Sequence, residues 1–229
     1  MNNHNREKYQ TIASFRKEFG IHITTKHEGK MEGMASLSTS PLLNTFCKAR
    51  CKCKGTICSQ CYSLSMQKRY SELSKCLKNN YAVLTREIIP VEKMPIVNYL
   101  MFRFESFGDV QNETQLINYL NLCARNPRTQ FTIWTKNMGI FDRLFTRGYK
   151  GVEYRKPKNL IIIVSSPVVN MRVNLKRYPY ADKVFTVYTE EYAKGAGISI
   201  NCGARSCASC QMCYNRANRV KYVNEILKK

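Results

Sequence analysis

Nine of the eleven cysteines in this 229-residue chain fall in two short segments, and that grouping limits its possible folds more than any other feature. Cys47, Cys51, Cys53, Cys58 and Cys61 form one segment, and Cys202, Cys207, Cys210 and Cys213 form the other. A secreted disulfide scaffold is short, spreads its cysteines and pairs them all. Here the count is odd, and the polar start Met1-Asn2-Asn3-His4 has no signal-peptide character. Closely spaced thiols in a reducing compartment are metal ligands first and disulfides second. With 44% hydrophobic residues the chain can bury a core. No run approaches the roughly 18 to 20 apolar residues of a membrane helix, so a cytoplasmic protein without membrane contact is expected.

The spacing of the second segment, Cys202-x4-Cys207-x2-Cys210-x2-Cys213, points to one compact object. Structural zinc sites take two cysteine pairs separated by a longer loop. The x2, x2 run is the local geometry of bacterial ferredoxins, and x4 followed by x2 is the plant-type spacing. An iron–sulfur cluster, favoured as four-iron, is therefore expected, with zinc as the alternative. Cys53-x4-Cys58-x2-Cys61 repeats that spacing, and with Cys47 it makes a second ligand set. Five cysteines for four corners leave one spare, and sharing of a single cluster between the two segments stays open. The radical-SAM signature C-x3-C-x2-C is absent, because Cys47-x3-Cys51 is followed by C-x-C, which argues against a standard radical mechanism. Cys76 and Cys123 lie on or beside apolar helix stripes and read as small buried hydrophobes.

Periodicity gives the fold class. Ser36 to Pro41 reads as a loop. Tyr70, Leu73, Leu77, Tyr81, Leu84 and Ile88 mark one face of a helix ending near Pro90. Val97–Phe104, Phe131–Trp134, Leu160–Val164 and Lys183–Tyr188 read as strands. A helix capped by Asn112 and another running to Gly148 separate the first three. Such alternation predicts an α/β fold with a mainly parallel sheet, or a partial β/α barrel, in one domain over 1–229 with cysteine-rich segments at 47–61 and 202–213. The strand C-terminal ends would gather Glu105, Asp109, Lys136, Ser165 and Ser166 at the edge where such sheets bind ligands. Glu105, Asp109 and Lys136 are the candidate acid–base residues there. Loop acids that cap the next helix are the simpler alternative.

The formal net charge is +21, which favours a polyanionic partner. Lys48, Arg50, Lys52, Lys54, Lys68 and Arg69 cluster in and after the first cysteine segment and are the candidate nucleic-acid contacts. They could equally offset the negative charge of bound thiolates. A C-terminal helix bearing Arg216, Arg219, Lys221, Lys228 and Lys229 would add basic surface. His4, His22 and His27 show no metal spacing and are expected at the surface. No G-x-G-x-x-G, P-loop or G-x-S-x-G motif occurs.

Four segments together resemble a phage family, the gene-product-eighty-eight-like proteins. They are Thr56-Ile57-Cys58-Ser59-Gln60-Cys61-Tyr62, the strand Phe102-Arg103-Phe104 leading to Gly108-Asp109, the strand ending Trp134-Thr135-Lys136, and the late run at 202–213. The likeness covers roughly residues 36 to 215. It implies a phage source, hence the host cytoplasm, and an iron–sulfur or related metal protein, with Cys47, Cys58 and Cys61 matching the family's early cysteines. Cys51 and Cys53 are departures that leave the first ligand set open. The resemblance supplies no reaction. A redox or cluster-dependent enzyme and a cluster- or zinc-stapled nucleic-acid-binding module both fit.

Overall fold

The run Leu160-Ile161-Ile162-Ile163-Val164-Ser165 has no polar face, so it needs cover on both sides; all six residues are buried, in the interior of a parallel sheet. The computed structural model describes residues 10–227. In chain order its elements are α1 (Ile12–Phe19), β1 (Ala35–Leu37), α2 (Thr45–Cys51), α3 (Tyr62–Arg69), α4 (Ser71–Leu84), β2 (Met101–Phe104) and α5 (Glu113–Arg125). They continue with β3 (Gln130–Thr135), α6 (Met138–Arg147), β4 (Leu160–Ser165), β5 (Lys183–Tyr188), α7 (Glu190–Gly195), α8 (Cys207–Cys210) and β6 (Tyr222–Ile226).

The six strands pair in parallel and in sequence order, β1-β2-β3-β4-β5-β6. That order never reverses, as a doubly wound sheet must; it is the order of a β/α barrel left open. Register separates two faces. Ala35, Phe102, Phe131 and Leu160 are paired neighbours on one face, as are Leu37, Phe104, Ile133 and Ile162. These pack with Phe15 of α1, Leu84 of α4, Leu116 and Leu120 of α5 and Leu144 of α6 into the main core. Phe104 stacks on Tyr119 at 4.3 Å and on Phe131 at 5.2 Å. Buried asparagines satisfy the backbone where the chain passes between layers. Asn80 bonds the backbone of His22 and Ser38, and Asn118 bonds Leu84, Glu87 and Ile89.

The other face carries Ser36, Arg103, Thr132, Trp134 and Ile161. The segment after α8 crosses it: Thr132 donates to the Cys213 carbonyl, and Tyr214 packs on Trp134 at 5.6 Å. Lys183, only 3% exposed, donates to the carbonyls of Asn218 and Val220. Lys30, just before β1, meets Glu225 of β6 at 3.1 Å and so links the first and last strands of the sheet.

Two expectations need correction. The Ser36–Pro41 stretch is not all loop, because Ala35–Leu37 is an edge strand. The expected C-terminal helix is instead β6, where Val223 and Asn224 are buried and pair beside β5. Strand pairing wins there because the β-branched and aromatic positions of Tyr222–Ile226 suit a pleated, half-buried surface. Phe131→Ala should lower the free energy of unfolding by about 3 to 5 kcal/mol in a urea titration, whereas Tyr70→Ala on the surface should change it by no more than about 0.5 kcal/mol. Similar losses in both would contradict the assigned core.

Candidate metal centre

The first cysteine segment follows β1 and lies over the C-terminal ends of the strands. Asn44 begins it. Its side chain caps α2 by accepting from Cys47 N at 3.0 Å, and its amide donates to the Asp109 carbonyl at 2.7 Å. Gln111 bonds the Thr45 backbone N–H and hydroxyl, and the Tyr62 hydroxyl donates to Ser106 O at 2.7 Å. On the far side, Ile57 N donates to Pro167 O at 2.9 Å and Thr56 bridges Val168. The segment is thus fastened to the loops after β2 and β4.

Cys47 and Cys51 lie on α2, Cys58 on the 3-10 turn Ile57–Gln60, and Cys61 at the start of α3. These four feel one another electrostatically. Burial first, then Asp109, Glu105, Cys61 and Cys58, push the Cys47 thiol up. Burial followed by Cys61 and Cys58 moves Cys51 up to about 11. Burial also raises Cys58, opposed by the cations of Lys136 and Arg50. Cys53, expected as a ligand, is exposed with its sulfur turned to Ala49 O at 3.5 Å. Cys51, at the end of α2, has Cys61 and Cys58 as its electrostatic neighbours.

The second set forms a separate site. Cys202 N bonds Asn224 O beside β6, and Cys207 and Cys210 lie on α8, next to the turn Gly29–Met31. Burial and then Cys202 and Cys207 push Cys213 up to about 12, with Lys183 opposing. Arg103 and Lys30 are the cations facing Cys207. Each set has its own members and its own cations as electrostatic neighbours. Among the described residues, no three or more His, Cys, Asp or Glu side chains are already drawn in to hold a metal ion. The thiols of each set are neighbours, not a closed chelate.

The donor chemistry suits a metal. Both sets are all-sulfur, half-buried and accompanied by cations, the soft-ligand environment of iron–sulfur clusters and of zinc. Cys123 is fully buried in the core as expected, while Cys76 is only half-buried. His22 and His27 are half-buried, not at the surface, and His27 meets Ser36 Oγ at 3.0 Å. His4, Lys228 and Lys229 lie outside the described residues.

Glu105, Asp109, Lys136, Ser165 and Ser166 do gather at the strand ends, but the two acids face inward. Asp109 accepts from Val110 N, Thr135 Oγ1 and Lys136 N at 2.6 to 2.8 Å. Glu105 accepts from Thr39 N and Oγ1, from Gln115 Nε2 at 2.7 Å and from the Tyr119 hydroxyl. The Ser166 hydroxyl turns back to Val168 O and Met171 O. These acids therefore hold loops in place, and Lys136 is the member of the trio that reaches toward the thiols. Sequence reasoning missed Asn44, Thr39, Gln115 and Tyr119. An asparagine ahead of a cysteine-bearing helix was a readable cap, but Thr39 and Tyr119 left no local signal.

Glu105 has a left-handed backbone (φ 52°), and Gly108 completes the turn at φ 84°. A Cβ on Gly108 would lie 2.8 Å from both Thr39 O and Glu105 Oε2. Lys48, Lys52, Lys54, Lys68 and Arg69 are exposed, whereas Arg50 is half-buried with its guanidinium 5.3 Å from the Phe46 ring.

An open parallel α/β sheet with one thiol site over its strand ends and another on its inner face defines the class. The family model described as Gene product 88 matches residues 22–221, a span that includes both cysteine segments, and the chain belongs to that family. Membership in a phage gene-product family supports a bacteriophage source. No curated protein and no solved structure matches the chain. No helix of the described residues is long and apolar enough to cross a membrane.

Gly108→Ala should destabilise the fold by about 1 to 3 kcal/mol in chemical unfolding, because the clash is with backbone and the φ is unfavourable. Burial outweighs the donors around Glu105 and raises it to about 8, against about 4.3 for an unfolded carboxyl. Between those values the folded chain keeps a proton that the unfolded chain releases. The stabilisation is complete below the unfolded value and is lost as pH rises through the folded one. Unfolding titrations at pH 5.5 and 8.5 should show wild type losing about 1 kcal/mol or more relative to Glu105→Gln. Parallel losses would place the ionisation elsewhere.

Proposed function

We propose that this is an iron–sulfur protein whose first cysteine set is its working site and whose second set staples the sheet, with the basic surface directed at nucleic acid. The observation that carries the reading is the grouping of Cys47, Cys51, Cys58 and Cys61 at the strand C-terminal edge, where α/β sheets bind ligands. An iron–sulfur cluster supplies one-electron or Lewis-acid chemistry when bound. The chain's own residues do the rest. Cys47, Cys58 and Cys61, with Cys51 as the fourth thiol, would hold the group. Arg50 and Lys136 offset thiolate charge, and Asn44 and Asp109 fix the angle of α2. Lys48, Lys52, Lys54, Lys68 and Arg69 are free to meet phosphates. A four-iron cluster suits the ligand number, and the host cytoplasm keeps such thiols reduced until they are loaded.

A second reading is a binding module without catalysis, in which both cysteine sets, like Cys202, Cys207, Cys210 and Cys213, act only as staples. Those thiols stand where the 202–220 segment is tied across the inner face by Thr132 and Lys183. Zinc could serve that site as well as iron.

Iron, zinc and acid-labile sulfide per chain, counted after anaerobic purification, separate these cases. About eight irons and eight sulfides are expected, falling to about four each in Cys58→Ser and in Cys213→Ser. Stoichiometric zinc in a colourless protein would replace the iron–sulfur reading with a zinc-stapled module. Cys53→Ser should leave the counts unchanged.

A further inference from the structure

A cleft of about 340 Å³ opens beside the first cysteine set, between the turn that carries Cys58 and the loops after β4, β5 and β6. Thr56, Ile57, Gln60, Val169, Asn170 and Thr189 are among the residues lining it, and none of the described residues lining it is charged. Its walls are fixed. Ile57 N is bonded to Pro167 O, and Asn170, held at φ 64°, accepts from Thr189 N at 2.8 Å through its side chain. The larger hollow of about 950 Å³ lies elsewhere, at the N-terminal ends of β2 and β3 by Tyr99 and Arg128, with no cysteine or acid among its described lining residues.

The lining selects its ligand. A phosphate or a zwitterion buried there would meet no opposite charge among the described lining residues. A flat, uncharged group rich in hydrogen-bonding atoms would find hydroxyls and amides to pair with and apolar walls in Ile57 and Val169. The rest of the segment and α3 differ in character. Lys52 and Lys54 are exposed on the same segment, and Lys68 and Arg69 are exposed on α3. Tyr62, next to Cys61, is 61% exposed, yet its hydroxyl is fixed on Ser106 O. An exposed ring and exposed cations on one stretch of chain are the groups that receive single-stranded nucleic acid, by stacking and by phosphate contact.

We propose that this neutral cleft binds a nucleobase, presented by a single strand whose phosphates lie on the surrounding lysines and arginine. The proposal rests on the nucleic-acid reading above and adds what that reading lacks, a place for a base beside the thiols. A base seated there would be out of its stack, as enzymes that act on bases require.

The test titrates the full chain, purified without air, with a short labelled oligothymidylate and with an abasic strand of equal length, read by fluorescence anisotropy. The base-bearing strand should bind about tenfold tighter or more. Val169→Trp, and Val169→Phe as a smaller filler, should remove that advantage and leave the abasic strand's affinity and the circular dichroism unchanged. Lys52→Glu combined with Lys54→Glu should weaken both strands and flatten their salt dependence. Equal affinity for the two strands, or an advantage that survives both fillers, overturns the cleft but leaves the basic surface standing. If neither strand binds, the nucleic-acid reading itself fails, and equilibrium dialysis with free thymidine and adenosine decides the cleft. Nucleoside held by wild type and lost in Val169→Trp would support a base site for a small molecule; none held would overturn it.

Discussion

The buried Asp109 carboxylate accepts hydrogen bonds from the backbone of Val110 and Lys136 and from the Thr135 hydroxyl, while its own carbonyl takes the Asn44 amide. One residue thereby fixes the end of β2 to the end of β3 and both to the helix that carries Cys47 and Cys51. A buried carboxylate is costly unless its acceptors are filled, and here they are filled by groups whose positions define the site. Glu105 does the same one turn earlier, joining the chain after β1 to α5 through Thr39, Gln115 and Tyr119. The strained Glu105 backbone and the close approach at Gly108 persist because this network holds them.

With those loops fixed, placement of the thiols follows from topology. Six parallel strands in sequence order put every strand C-terminal end on one edge, and the segment leaving β1 must cross that edge to reach α3. The second set reaches the sheet differently. It enters between α7 and β6 and lies on the inner face, where Tyr214 covers Trp134 and Lys183 grips the chain beyond. Each set has cations of its own, Arg50 and Lys136 at the first, Lys30 and Arg103 at the second. Part of the large positive charge therefore faces the thiols, while the lysines of the first segment stay exposed.

A continuous β-branched run made β4 legible from the sequence, and the Asn112 cap and the three-and-four spacing did the same for α5 and α4. The edge strands were not legible. Ala35–Leu37 is too short to show a period, and basic residues before Tyr222–Ile226 pointed to a solvated helix. The gathering of Glu105, Asp109 and Lys136 at one edge could be read from alternation alone, but their orientation could not. Whether a carboxylate faces solvent or a ring of donors depends on Thr39, Gln115 and Tyr119, which come from other elements. Spacing favoured Cys53; its exposure, with the sulfur on Ala49 O, follows from where α2 ends, which a repeat of x4 and x2 does not show.

The central claim is that two separate thiol sites hold two separate metal clusters. Anomalous diffraction at the iron edge, from crystals of anaerobically prepared protein, tests it most directly. Two compact peaks are expected, one among Cys47, Cys51, Cys58 and Cys61 and one among Cys202, Cys207, Cys210 and Cys213. A single peak shared by both segments, or peaks at the zinc edge alone, would contradict it.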